Sequence, residues 1–282
     1  MKLIVILISI AMLRYVQFGR TVNRYHWLQK YAASIQVYLQ KIQQPWVIMM
    51  VILLPILIIA LFLQLVLAHG MFYVIKFLFS ILVLWYCLWP VSLRESLDAS
   101  LAKPELAKDQ PSSEIQDEDV EHGQDNATHV LTKALLCDAN TYTFAVLFWY
   151  IVLGPLGAIL YRMVAQLTNL SSKPNDTTLN GIIGVAHTLE NLLDWIPVRL
   201  VALGYALAGH FVKSFSQWMH YLKGGLGSNQ DLLIASGLGA MDIDPQKPGD
   251  AEEAQQVLRM VDRALIVWLI VITIFTIGQF IY

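Results

Sequence analysis

Charge is what this chain has least of. Only 14% of its 282 residues are Asp, Glu, Lys or Arg, where soluble domains carry about 25%. A deficit of that size, beside several long apolar runs, excludes an ordinary soluble domain and places the chain among multi-span membrane proteins. Cysteine is scarce too. Cys87 and Cys137 lie far apart and match neither zinc nor redox spacing, so no disulfide framework follows. No His-Glu-x-x-His run or other clustered ligand set occurs, and the residues call for no metal and no cofactor. No serine or cysteine has a recognisable nucleophile elbow, so no catalytic residue is assigned. The glycine-rich loop at 224–230, GGLGSNQ, lacks the Lys-Ser/Thr pair of a phosphate loop and follows no strand, so it reads as a helix break. Basic residues are not interleaved with aromatics in a soluble domain, which leaves nucleic acid without support as a partner. An internal repeat of the kind common in transporters is also missing.

Acidic residues are absent before Glu95, whereas Arg14, Arg20, Arg24, Lys30 and Lys41 make the start of the chain basic. Leu3 to Leu13 is apolar but too short to cross a core about 30 Å thick. It reads as an interfacial or re-entrant helix, or as a signal peptide without a small-residue cleavage site. Residues 14–44 read as an amphipathic helix, with Leu28, Tyr31, Ile35, Leu39 and Ile42 on one stripe. Lying on an anionic leaflet or packed on the bundle, it puts the N-terminus in the cytoplasm. This basic segment is taken as 1–44.

The stretch 45–91 reads as a two-span hairpin, Trp46 to Leu67 and Met71 to Val91, with Pro55 kinking the first span and Lys76 near the end of the second. Residues 92–141 are acidic and poor in apolar residues, and are expected to be a disordered cytoplasmic linker. A third span is expected from Tyr142 to Tyr161. In it Gly154, Gly157 and Ala158 are small residues that let a helix approach, beside a bend at Pro155. A helical and loop region over 211–263 leads to a last span over 264–282, with Arg259 and Arg263 at its inner end.

Parity makes the remaining stretch, ENLLDWIPVRLVALGYALAGH at 190–210, decisive. An inside N-terminus and an inside Arg259 agree only if this charged segment crosses, giving five spans. A re-entrant placement would leave four. The expected fold is therefore an all-α integral membrane protein with four transmembrane helices, a fifth or re-entrant helix, amphipathic helices and an acidic linker. His187, Glu190, Asn191 and Asp194 fall at spacings of three and four, on one helical face, with Arg199 beyond the Pro197 bend. Ionisable groups near the membrane are functional candidates; a structural Asp194–Arg199 ion pair, or a capped kink holding the helix, is the plainer alternative.

LLDWIPVRL at 192–200, YALAGH at 205–210 and the glycine-proline span FAVLFWYIVLGPLGAILYR at 144–162 resemble the AmpE family of inner-membrane proteins. The resemblance implies a multi-pass protein of the bacterial inner membrane that takes part in β-lactamase regulation and the response to cell-wall stress. It implies a lipid bilayer and a regulatory protein of cell-wall recycling as partners. The wider superfamily includes the CbiB/CobD enzymes, which form an amide bond in cobalamin synthesis. Gly154-Pro155, the DWIPVRL run and Ser228-Asn229 before Gly237-Leu238-Gly239 are similar to those enzymes, adding Ser228 and Asn229 to the binding candidates. Two acidic elements of the enzymes are replaced here by Cys137-Asp138-Ala139-Asn140-Thr141 and Gln166-Leu167-Thr168-Asn169. That departure argues against amide synthesis, which stays as the alternative function.

Overall fold

A computed structural model describes residues 2–15, 30–31, 34, 44–66, 73–88, 123–170, 177–243 and 251–281. Most of these residues are helical, and no strand occurs among them. The helices are α1 (Lys2–Tyr15), α2 (Pro45–Val66), α3 (Tyr73–Leu88), α4 (Gly123–Ala139), α5 (Ala145–Leu153), α6 (Pro155–Thr168), α7 (Thr177–Ala208), α8 (Phe211–Tyr221), α9 (Asn229–Met241) and α10 (Ala251–Ile281). A π-helical turn, Asn140–Phe144, joins α4 to α5, and a 3₁₀ turn, Leu226–Ser228, precedes α9. Most of the expected basic helix at 14–44, and the linker from 92 to 122, lie outside the described residues.

Four helical stretches are long and apolar enough to cross a membrane: Pro45–Val66, Val130–Leu153, Leu179–Ala208 and Gln255–Gly278. The chain is thus an all-α multi-pass membrane protein. The third crossing differs from the sequence expectation. It lies over Val130–Leu153 and stops where the expected span at 142–161 has its middle. Gly154 ends it with φ 73° and ψ −153°, a conformation that only glycine adopts freely, and Pro155 then opens α6. The helix also starts early, at Gly123, inside the expected linker. Leu135 and Leu136 of that stretch are fully buried, so it has an apolar face that its charged neighbours hide in the sequence. In the second expected span α3 covers 16 residues, Tyr73–Leu88, about 24 Å of helix.

The chain divides into two compact units: residues 1–90 with 145–193, and residues 91–144 with 194–282. In the first unit Ile48, Met49, Ile52 and Leu53 of α2 pack on Met163, Val164 and Leu167 of α6 and on Ile182, Val185 and Ala186 of α7. The other faces of α2 expose Met50, Leu54, Ile58, Phe62 and Leu65, as a lipid-facing helix does. Gly181 sits so close to Pro45 that an added Cβ would meet its ring at 2.9 Å.

Two prolines leave backbone acceptors that this unit satisfies with side chains. Pro155 has no N–H for the carbonyl of Ile151, and Lys2 Nζ donates to that oxygen at 2.7 Å. Pro197 has none for Leu193, and Trp149 Nε1 donates to that carbonyl at 3.2 Å. A bilayer offers no water to replace such a bond. Trp149→Phe keeps most of the ring and removes the donor. It is expected to destabilise the protein by about 1–3 kcal/mol, the cost of one unsatisfied buried polar group. Chemical unfolding in detergent micelles measures that loss.

In the second unit α8 and α9 form an antiparallel pair with a seam of small residues. Ser214 Oγ donates to Ser236 O at 2.8 Å, and a Cβ on Gly239 would lie 3.2 Å from Ser214 Cα. Gly237 gives the same closeness to α4, since its Cβ would lie 2.7 Å from a methyl of Leu136. Phe144 of the π turn meets Tyr205 edge-on and Trp268 of α10 at 5.4 Å between ring centres. Asp242 ends α9 at φ 59°, a left-handed cap closed by Ile243 N donating to Leu238 O.

Candidate functional site

Residues 194–208 of α7 belong to the second unit, and their two faces differ. Trp195, Ile196, Leu200 and Leu207 are exposed, while Val198, Val201, Ala202, Tyr205 and Ala206 are buried with Asp194. This is the pattern of a helix with one side toward lipid and its polar group turned to protein. The helix begins at Thr177, well before Glu190, so Asp194 and Arg199 lie in its C-terminal half. The sequence expectation had placed them near the start of a crossing.

Asp194 is 8% exposed, and its Oδ1 accepts a hydrogen bond from Asn140 Nδ2 at 3.1 Å. Asn140 is 2% exposed, and its own Oδ1 is buried without a hydrogen-bond partner. It is the first residue of the π turn. Such turns widen a helix by one residue and recur at functional sites.

Arg199 takes a different direction. Its Nη1 donates to Trp195 O at 2.7 Å and to Asn229 Oδ1 at 3.3 Å, and its Nη2 donates to Gly224 O at 3.2 Å. The guanidinium also lies 4.3 Å from the centre of the Trp195 ring, a cation–π contact. Trp218 Nε1 donates to the Arg199 carbonyl at 3.0 Å. The plain Asp194–Arg199 ion pair is therefore not what organises this helix. Each charge has its own partners, and Arg199 fastens the glycine-rich loop instead.

The structure thus brings Asp194 to Asn140 and Arg199 to Asn229. Ser228 turns back into its own loop, where Oγ donates to Gly225 O at 2.9 Å. His187, Glu190 and Asn191 are half-buried on the part of α7 that belongs to the first unit. Gly154, Pro155, Gly157 and Ala158 shape the α5–α6 break in that unit. A Cβ on Gly157 would lie 2.2 Å from Trp149 O. Asn140, Trp218 and Gly224 were missed as partners, because nothing in their spacing signals a π turn or a loop tethered from another helix. Among the described residues, no three His, Cys, Asp or Glu side chains gather where they could hold a metal ion. In the Gln166–Asn169 element, Thr168 Oγ1 and Asn169 Nδ2 both donate to Ala165 O, closing the end of α6.

The family model described as "Regulatory signalling modulator protein AmpE" matches residues 1–281. The chain belongs to the AmpE family. The match takes in both units and all four apolar helices long enough to cross a membrane. A curated relative, "Protein AmpE" of Shigella flexneri, is 35% identical over 94 residues, 31% of this chain and 32% of that protein. "Cobalamin biosynthesis protein CobD" of Chromobacterium violaceum is 32% identical over 111 residues, covering 39% of this chain and 35% of that protein. The protein of the same description from Stutzerimonas stutzeri is 28% identical over 120 residues, 43% of this chain and 39% of its own. The chain therefore covers well under half the length of each of these relatives. No solved structure matches.

Proposed function

We propose that this chain is a regulatory protein of the bacterial inner membrane that modulates β-lactamase induction in response to β-lactams and cell-wall stress. The observation that carries this reading is the AmpE family match along residues 1–281. The mechanism is a response, through α7, of the Asn140–Asp194 pair to a ligand or partner protein. Asn140 Oδ1 offers such a partner a buried acceptor, and a protein of cell-wall recycling is the expected source. The N-terminus lies in the cytoplasm, as its excess of Lys and Arg over acidic residues favours. Deleting the gene and measuring β-lactamase induction and muropeptide profiles under a β-lactam tests the role. Unchanged induction and unchanged profiles would contradict it.

The CobD relatives favour one second reading, an amide-forming enzyme of cobalamin synthesis. That reading requires the chain to rescue a strain lacking its own CobD-type protein, with rescue lost on Asp194→Ala. Failure to rescue despite verified membrane expression removes it.

A further inference from the structure

We infer that the second unit holds a phosphate-binding pocket beside the polar N-terminal turns of α10, separate from the Asp194 region. A cavity of about 350 Å³ opens between the α7–α8 turn, the end of α9 and the first turns of α10, lined among others by Gly209, His210, Met241, Gln256, Arg259 and Arg263. Arg259 and Arg263 are one helical turn apart and share a face. Both are exposed, and no Asp or Glu lines the cavity. Of the acids next to lining residues in sequence, Asp242 is ion-paired with Lys213, and Asp262, beside Arg263, is partly buried and is not part of the lining.

The α7–α8 turn and the end of α9 meet closely at this cavity. Gly209 is packed so that an added Cβ would lie 2.3 Å from Ala240 O, and His210 N donates to that same oxygen at 2.8 Å. Leu238 O and Gly239 O at the end of α9 are also bonded, to Ile243 N and Asp242 N. The carbonyls that would otherwise favour a cation are thus already engaged. The polar and charged residues that line the cavity are Arg259, Arg263, His210 and Gln256, beside apolar Ala208, Met241 and Met260. Guanidinium forks match the oxygens of a phosphate and bind them as charge-assisted pairs. The site lies where α10 passes from polar residues to the continuously apolar run from Ala264, the level at which lipid phosphates sit. The ligand is accordingly a phosphate group, supplied by an anionic phospholipid or by a free phosphate ester. This inference rests on the cavity and does not depend on the regulatory reading.

The test uses the full chain purified in detergent, with Arg259→Gln/Arg263→Gln as the variant and Lys213→Gln/Lys223→Gln, which removes the same two positive charges elsewhere in the unit, as the control. One arm titrates phosphatidylglycerol and follows binding by native mass spectrometry. The other titrates inorganic pyrophosphate and follows binding by calorimetry. Circular dichroism verifies that the double variant stays helical; should it unfold, Arg263→Lys, which keeps the charge and loses the fork, takes its place. Wild type and control are expected to bind at least one probe saturably, with affinity falling about tenfold or more when the paired guanidinium contacts are lost. Loss in the phosphatidylglycerol arm identifies a lipid headgroup, and loss in the pyrophosphate arm identifies a soluble phosphate ester. Equal binding by wild type and variant in both arms, or no saturable binding by wild type in either, overturns the inference.

Discussion

Asp194→Ala is expected to lower stability by about 1–3 kcal/mol, because it strands a buried amide in a site with no water to replace the lost bond. Asn140 is 2% exposed and donates its Nδ2 to Asp194 Oδ1. Its Oδ1 is already buried without a partner, so alanine at 194 would leave both ends of the amide unsatisfied. Asp194→Asn keeps an acceptor at the same place for Asn140 and removes the charge, so it should lose less stability than Asp194→Ala. The pair of variants separates structure from function. Should the charge itself be needed for signalling, Asp194→Asn retains the fold and abolishes the change in β-lactamase induction. Unfolding in detergent, with induction measured in the same strains, reads both effects. A stable Asp194→Ala protein would show that Asn140 does not depend on this carboxylate.

The second large effect belongs to Arg199. Arg199→Ala removes three hydrogen-bond donations, to Trp195 O, Gly224 O and Asn229 Oδ1, and the contact over the Trp195 ring. The side chain is only half-buried, so solvent weakens each term, and a loss of about 2 kcal/mol is expected. Its location matters more than its size. Gly224 and Asn229 bracket the short turn before α9, so amide hydrogen exchange should rise first in residues 222–230. Arg199→Lys supplies one ammonium where a fork held two oxygens, and should fall between wild type and alanine. Uniform exchange changes across α7 in Arg199→Ala, with residues 222–230 no more affected than the rest, would contradict the tether.

Much of this was legible in the sequence, and the reasons differ by segment. The first and last spans announce themselves because their apolar runs are long and uninterrupted. Pro45 opens α2 where the sequence says it should. The sequence reads Gly154 and Pro155 as a bend within one helix, whereas Gly154 takes a positive-φ conformation, open mainly to glycine, that separates α5 from α6. Residues such as Thr132 and Lys133 then hid the burial of Leu135 and Leu136, which is fixed by packing and not by local composition. At the site, spacing placed Asp194 and Arg199 on a helix. It could not say which way each side chain turns. Asn140 is 54 positions from Asp194, and Asn229 is 30 from Arg199. Contacts at that separation are set by how helices pack, and a single chain carries no pattern for them. The two orphaned carbonyls were more accessible. Each proline names the residue four before it as an open acceptor, although nothing in the sequence chose Lys2 and Trp149 as donors.

Everything proposed for α7 requires that it cross the bilayer with Asp194 and Arg199 held on its protein-facing side. Reporter fusions placed after Lys223, one active only in the cytoplasm and one only outside, measure this directly. A crossing α7, with the N-terminus inside and five spans in all, predicts cytoplasmic activity at that position and a silent external reporter. An external signal after Lys223 would contradict it, leaving α7 re-entrant and the segment that follows on the outer side.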